Sequence, residues 1–213
     1  MCIQPVLGSA RCRPGLGALM AQAPNSVAVA LGLAQRALET PRLWLRPLAV
    51  GDVPALWAVN SDPQVTRFLP YPAWTCTDDA QAWYQRMEGR IQRGEITYNV
   101  MVDKSTGAVV GGTLLMNWDR QVRKLEVGYA MARSHQGRGL MQEAVRAEMD
   151  DAFTRWDLRR LEAHIDARNQ ASRALVERLG FRCEAVLRDA WCDNVGALTD
   201  ATIYGLLRRE WRA

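Results

Sequence analysis

The chain has 213 residues, with 27 Lys plus Arg against 23 Asp plus Glu and a net charge of +4, which suits one ordinary globular domain with a sizeable core. Arg11, Arg13, Arg36 and Glu39 supply +2 of that charge from residues 1–39, leaving the rest near neutral, and no arginine cluster interleaved with aromatics points to nucleic acid. Five scattered cysteines without a CxxC pair and only two histidines argue against structural zinc and for a reducing, cytoplasmic setting, and no apolar run is long enough to span a membrane.

Residues 1–39 read as an N-terminal extension, rich in Ala, Gly and Leu and interrupted by Pro5, Pro14 and Pro24. Arg11 and Arg13 before GLGALMAQA faintly imitate a signal peptide, and residues 26–38 have the pattern of a short helix. The domain proper spans 40–213. Leu43 and Leu45 alternate with Arg42, Trp44 and Arg46 as a strand ended by Pro47. Gly51-Asp52 opens a helix through about Asn60, and 61–74 is a proline-broken loop. Thr77-Asp78-Asp79 caps a second helix, with Ala82, Trp83, Met87 and Ile91 toward a core, stopped by Gly94. Residues 96–102 and 108–116 form a hairpin, and KLEVGYAM (124–131) is the next strand.

A long helix over about 138–155 then buries Met141, Val145, Met149, Ala152 and Trp156, spaced by threes and fours. A strand lies within 158–167. Asn169 opens a further helix whose apolar face is Ala171, Ala174, Leu175 and Leu179, and 181–192 and 197–211 are closing strands joined near Asp193-Asn194. No repeat appears, so the chain is one α+β domain with a mixed, mostly antiparallel central sheet of about seven strands flanked by helices.

The chemistry concentrates at RSHQGRGLMQEA (133–144). A strand, a loop with Gly137 and Gly139, and a helix start follow one another. Helix starts leave N–H groups without intrahelical partners and carry a positive dipole end, and glycines let a backbone approach a ligand, so the stretch is a phosphate cradle. It lacks both GxGxxG and the GK[ST] of a P-loop. The run Gln136, Gly137, Arg138, Gly139, Leu140, Met141 resembles instead the acetyl-CoA loop R/Q-x-x-G-x-G/A of the GNAT acetyltransferases, with Met141 replacing the small final residue. LWLRPL (43–48), EVGYAM, Asn169-x-x-Ser172 with ERLGF (177–181), LRD (187–189) and Asp200-x-x-x-Tyr204 resemble further signatures of that superfamily and its RimJ/RimL-like branch, in the right order.

The resemblance implies an acetyl-CoA-dependent N-acetyltransferase that lets a neutral primary amine attack the thioester directly in a ternary complex, with no acyl-enzyme, catalytic cysteine or metal. Cys183 and Cys192 are then apolar strand positions. It implies that backbone N–H groups from about Gln136 to Met141 hold the pyrophosphate. Pantetheine would run beside Ala130, Met131 and Arg133, and Asn169, Ser172, Arg173 and Val176 would face the cofactor. Many family members carry a tyrosine acid where this chain has Val176, so Ser172 becomes the candidate proton donor. Glu126 is the candidate base by position, sharing a strand face with Gly128 and Ala130. Asp189 is its rival, and His164 reads as a core histidine. The acceptor groove falls to Phe68–Trp74 and the Trp191–Asn194 turn, with Asp189 or Asp193 attracting a cationic amine. Partners are the amine acceptor, a peptide N-terminus or small molecule, and a second copy in a homodimer. A non-catalytic acyl-CoA-binding module of the same fold is the alternative.

Overall fold

The structure, a computed structural model, describes residues 33–211. Its strands are β1 (Leu38–Glu39), β2 (Leu43–Pro47), β3 (Thr97–Asp103), β4 (Val109–Asp119), β5 (Lys124–Met131), β6 (Arg160–Asp166), β7 (Arg182–Cys192) and β8 (Leu198–Leu207). The helices are α1 (Val53–Asn60), α2 (Pro63–Thr66), α3 (Thr77–Gln92), α4 (Leu140–Arg155) and α5 (Gln170–Arg178). All eight strands form one sheet in the order β1-β2-β3-β4-β5-β6-β8-β7. Every neighbouring pair is antiparallel except β5 and β6, which run parallel because α4 carries the chain from one to the other.

Strand alternation divides the apolar residues between two layers. On one face, Leu43 and Leu45 of β2, Leu125 and Val127 of β5 and Leu161 and Ile165 of β6 pack under Val145 and Met149 of α4 and Leu175 and Leu179 of α5. On the other, Tyr98 and Val100 of β3 pack against Leu56 and Val59 of α1 and Ala80 and Trp83 of α3. Trp74 completes this second cluster, its ring 5.4 Å from that of Trp83. Ala82 is exposed and Ala80 holds the core place expected of it. In α5 Ala171 is likewise exposed, while Val176 is fully buried in the first layer.

Residues 33–39 pack against this sheet. Leu33 is 3% exposed, and its N–H donates to the Gly94 carbonyl at 2.9 Å. Gln35 Oε1 accepts from the Tyr98 N–H, the Arg36 carbonyl accepts from Asn99 Nδ2, and β1 pairs with β2. The eighth strand is this added β1. Residues 33–37 are not helical, so the helix expected over 26–38 does not reach them, and its remainder lies outside the described residues. The loop expected at 61–74 contains α2, where Asp62 accepts from the Gln64 N–H and Pro63 fills the first turn.

Candidate active site

β5 and β6 pair over only three residues, Lys124 to Glu126 against Arg160 to Glu162, although β5 runs on to Met131 and β6 to Asp166. Beyond Glu126 the two parallel strands separate. One edge of β5 and one edge of β6 face the gap, while their other edges stay paired with β4 and β8. An extended ligand with amide groups can add to such an edge as a strand would.

At the open end lies the glycine loop. Gly137 and Gly139 have φ of +72° and +76°, a left-handed backbone that glycine adopts without strain, and Gly139 is the N-cap of α4. The N–H groups of Gly137, Arg138, Gly139, Leu140 and Met141 find no acceptor among the described residues. Gln136 does not join them, because its N–H donates to the Arg133 carbonyl and its side chain Nε2 to the Met131 carbonyl. The sequence pattern passed over Arg42, which fastens the loop to β2. Its Nη1 donates to the Arg138 carbonyl at 2.8 Å, and its Nε donates to Glu143 at 2.6 Å. Burial opposes ionisation of Glu143, but hydrogen bonds from Thr40 and Arg42 outweigh it and hold its carboxyl below the usual range. This pairing keeps the first-turn carboxylate from opposing an anion at the helix start.

Glu126 sits at the base of the gap, on the face opposite Leu125 and Val127, and is 8% exposed. A bulge in β4 places Asn117 at φ +55° with its Nδ2 donating to Glu126 Oε2 at 2.7 Å. His164 is half-buried rather than a core residue, with Nδ1 3.7 Å from Glu126 and Nε2 3.3 Å from Glu162. Arg123, a conceivable partner of Glu126 from its sequence position, pairs with Asp157 instead.

On the helix side of the sheet, the Tyr129 hydroxyl lies 2.7 Å from Ser172 Oγ. Burial pushes the Tyr129 phenol up to about 12, against the lowering effect of Ser172, so it stays protonated. Asn169 caps α5 by accepting from the Ser172 N–H at 3.1 Å. The remaining members of the expected helix face are otherwise engaged. Arg173 donates to the Tyr204 hydroxyl and the Ala167 carbonyl, and Val176 is sealed in the core and cannot face a ligand. Ala130 packs against the second layer, Met131 is buried, and Arg133 is exposed with Nη1 3.8 Å from Asp62.

The closing hairpin also differs from expectation. Asp193 is not open to an amine: it pairs with Arg168 at 2.9 Å and accepts from the N–H groups of Val195 and Ala197. Arg168 also pairs with buried Asp166, and its guanidinium lies 5.8 Å from the Phe68 ring, joining the α2–α3 loop to the β6–α5 loop. Asp189 is exposed at a bulge in β7, with φ +50°. Cys183 and Cys192 both lie in β7, the first exposed and the second half-buried. Trp74 and Tyr71 belong to the second layer, and Phe68 lies beside the Arg168 guanidinium.

Residues 42–182 match the acetyltransferase (GNAT) domain family model. An uncharacterized N-acetyltransferase, p20 of Bacillus licheniformis, is 32% identical over 174 residues, covering 82% of this chain and 97% of that protein. Among solved structures, the chain is similar to RimL, a ribosomal L7/L12 α-N-protein acetyltransferase in complex with coenzyme A. That likeness has a TM-score of 0.73 at 23% identity and covers 81% and 98% of the two chains. It is also similar to spermidine N-acetyltransferase from Vibrio cholerae in complex with CoA and spermine, with a TM-score of 0.69 at 22% identity over 80% and 98%. The chain therefore belongs to the GNAT family of acetyl-CoA-dependent N-acetyltransferases.

Proposed function

We propose that this chain is a cytoplasmic enzyme of the RimJ/RimL-like branch that acetylates a primary amine, a peptide N-terminal α-amine or a small-molecule amine, by direct attack within a ternary complex. One observation carries the reading. The gap beyond Glu126 has a carboxylate on one face, a hydroxyl pair on the other, and at its open end five N–H groups with no acceptor among the described residues. The residues fit acetyl-CoA in its three parts: N–H groups at a helix start for the diphosphate, an unpaired β5 edge for the pantetheine amides, and polar groups at the gap's base for the acyl end. When bound, acetyl-CoA supplies an activated thioester carbon.

Glu126, steadied by Asn117, accepts the proton that the amine gives up, directly or through a water. His164 and Glu162 continue from it toward solvent. Ser172 donates a hydrogen bond toward the sulfur side. The two structural neighbours, one acting on a ribosomal protein and the other on a polyamine, support keeping both acceptor classes. Phe68 and exposed Asp189 are the acceptor-side groups. Glu126→Gln keeps size and hydrogen bonding but removes the base, and should lower kcat by about 10²–10⁴-fold with coenzyme A affinity unchanged. Near-full turnover in Glu126→Gln with loss in Asp189→Asn would move the base to the closing hairpin.

A further inference from the structure

We infer that Tyr129 is a positioning residue that aims the Ser172 proton at the sulfur of the leaving group. This rests on the functional reading above and adds to it a residue whose sequence position alone gave it no role. Tyr129 lies three residues past the last paired position of β5, on the wall of the gap, and Ser172 lies in the first turn of α5 across from it. Their oxygens are 2.7 Å apart, and the Tyr129 hydroxyl is 3.4 Å from the Ser172 carbonyl.

Two hydroxyls in contact share one proton along their axis, and which one donates decides the chemistry. The Ser172 main chain is fixed by the Asn169 cap, and Tyr129 reaches it from a half-buried ring packed against the core. If Tyr129 donates to Ser172 Oγ, the serine proton is free to point into the gap. If Ser172 donates to Tyr129, that proton is spent inside the wall. A phenol is the more acidic partner and therefore the better donor, which favours the first arrangement. A hydroxyl that accepts a hydrogen bond is also a stronger donor in turn. Position 176 holds a valine sealed in the core, so it supplies no hydroxyl to the gap.

The step balances without a further reactant. The amine nitrogen bonds to the acyl carbon as the carbon–sulfur bond breaks. Glu126 takes the amine proton, and coenzyme A leaves as a thiolate held by the Ser172 O–H, to be protonated by solvent. Ser172 and Tyr129 keep their own protons.

The test uses free coenzyme A bound to the full chain, its thiol titrated by ultraviolet thiolate absorbance, in wild type, Tyr129→Phe and Ser172→Ala. A donor aimed at sulfur lowers the bound thiol's pKa. It should rise by about one pH unit in Ser172→Ala and by about half a unit or more in Tyr129→Phe, the scale of losing or weakening one hydrogen bond to a charged group. The double variant should match Ser172→Ala alone, since Tyr129 acts through the serine. Melting transitions check that Tyr129→Phe, which keeps the ring, retains the fold. If it does not, Ser172→Ala against Ser172→Thr carries the test, because threonine keeps the hydroxyl and should restore the low value. A Tyr129→Phe titration identical to wild type, beside a shifted Ser172→Ala, would overturn the Tyr129 assignment and leave the functional reading standing, whereas identical titrations in all three proteins would also take Ser172 off the sulfur. Absence of coenzyme A binding in wild type would overturn both.

Discussion

Gly139 offers the sharpest perturbation of the cofactor loop. Its φ of +76° makes any β-carbon strained, yet an added Cβ would meet only the flexible Arg42 guanidinium at 3.4 Å. Asn and Asp tolerate this backbone better than other residues and have nearly the same size. Comparing Gly139→Asn with Gly139→Asp therefore cancels the backbone and steric effects and isolates one negative charge at the helix start. A unit charge roughly 5 Å from a phosphate, at an effective dielectric near 20, contributes about 3 kcal/mol of repulsion. The loop is exposed, so salt screening removes about half. Coenzyme A should bind Gly139→Asp about tenfold more weakly than Gly139→Asn in calorimetry at physiological salt, and the ratio should grow as salt is lowered. Both variants should melt within a few degrees of each other. Equal affinities of the two variants for coenzyme A would show that no phosphate lies at this helix start.

Shortening the chain to begin at Ala37 removes the buried Leu33 and its hydrogen bond to Gly94, as well as the Gln35 contact with β3. Burial of one leucine is worth about 1.5–3 kcal/mol, so Tm should fall by about 4–10 °C in calorimetry; an unchanged Tm would return the boundary to residue 40. Glu148 of α4 is buried beneath the sheet, accepting from Asn99 Nδ2 and Thr113 Oγ1, and burial raises its carboxyl above the ordinary carboxylate range against those hydrogen bonds. A carboxyl whose folded pKa is raised stabilises the fold below its unfolded pKa and loses that contribution as pH rises through the folded value. Glu148→Gln keeps an acceptor for both donors, so it should be more stable than wild type at pH 8 and lose the advantage by pH 4, measured by thermal melts across that range.

Most of the architecture was legible because it rests on local signals. The alternation in KLEVGYAM, the spacing of Val145 and Met149, and Gly94 after α3 each act within a few residues. The loop glycines were legible for the same reason, since their positive φ depends on the residue itself. What escaped depends on contacts between distant segments. Leu33 becomes core only because Gly94 and β3 stand beside it, and β1 forms only because β2 offers an edge. Val176 shares a helix face with Ser172 by spacing, but packing against the sheet buries it in the core cluster. Asn117 points at Glu126 because of a bulge, and Arg42 reaches Arg138 across 96 positions of sequence. Asp193 looked available because its sequence position does not reveal Arg168 next to it.

The claim that this gap is a working acetyl-transfer site is tested most directly by an acceptor screen. Full-length chain and acetyl-CoA are incubated with peptides bearing varied N-terminal residues, polyamines including spermidine, and free amino acids, while thiol release and the mass of each acceptor are followed together. The account predicts saturable thiol release matched one-for-one by acetylation of a primary amine in at least one acceptor class, abolished with acceptors whose amine is already blocked. Tight coenzyme A binding with neither thiol release nor acetylated product across the whole panel would contradict it, and would make the gap a binding site alone.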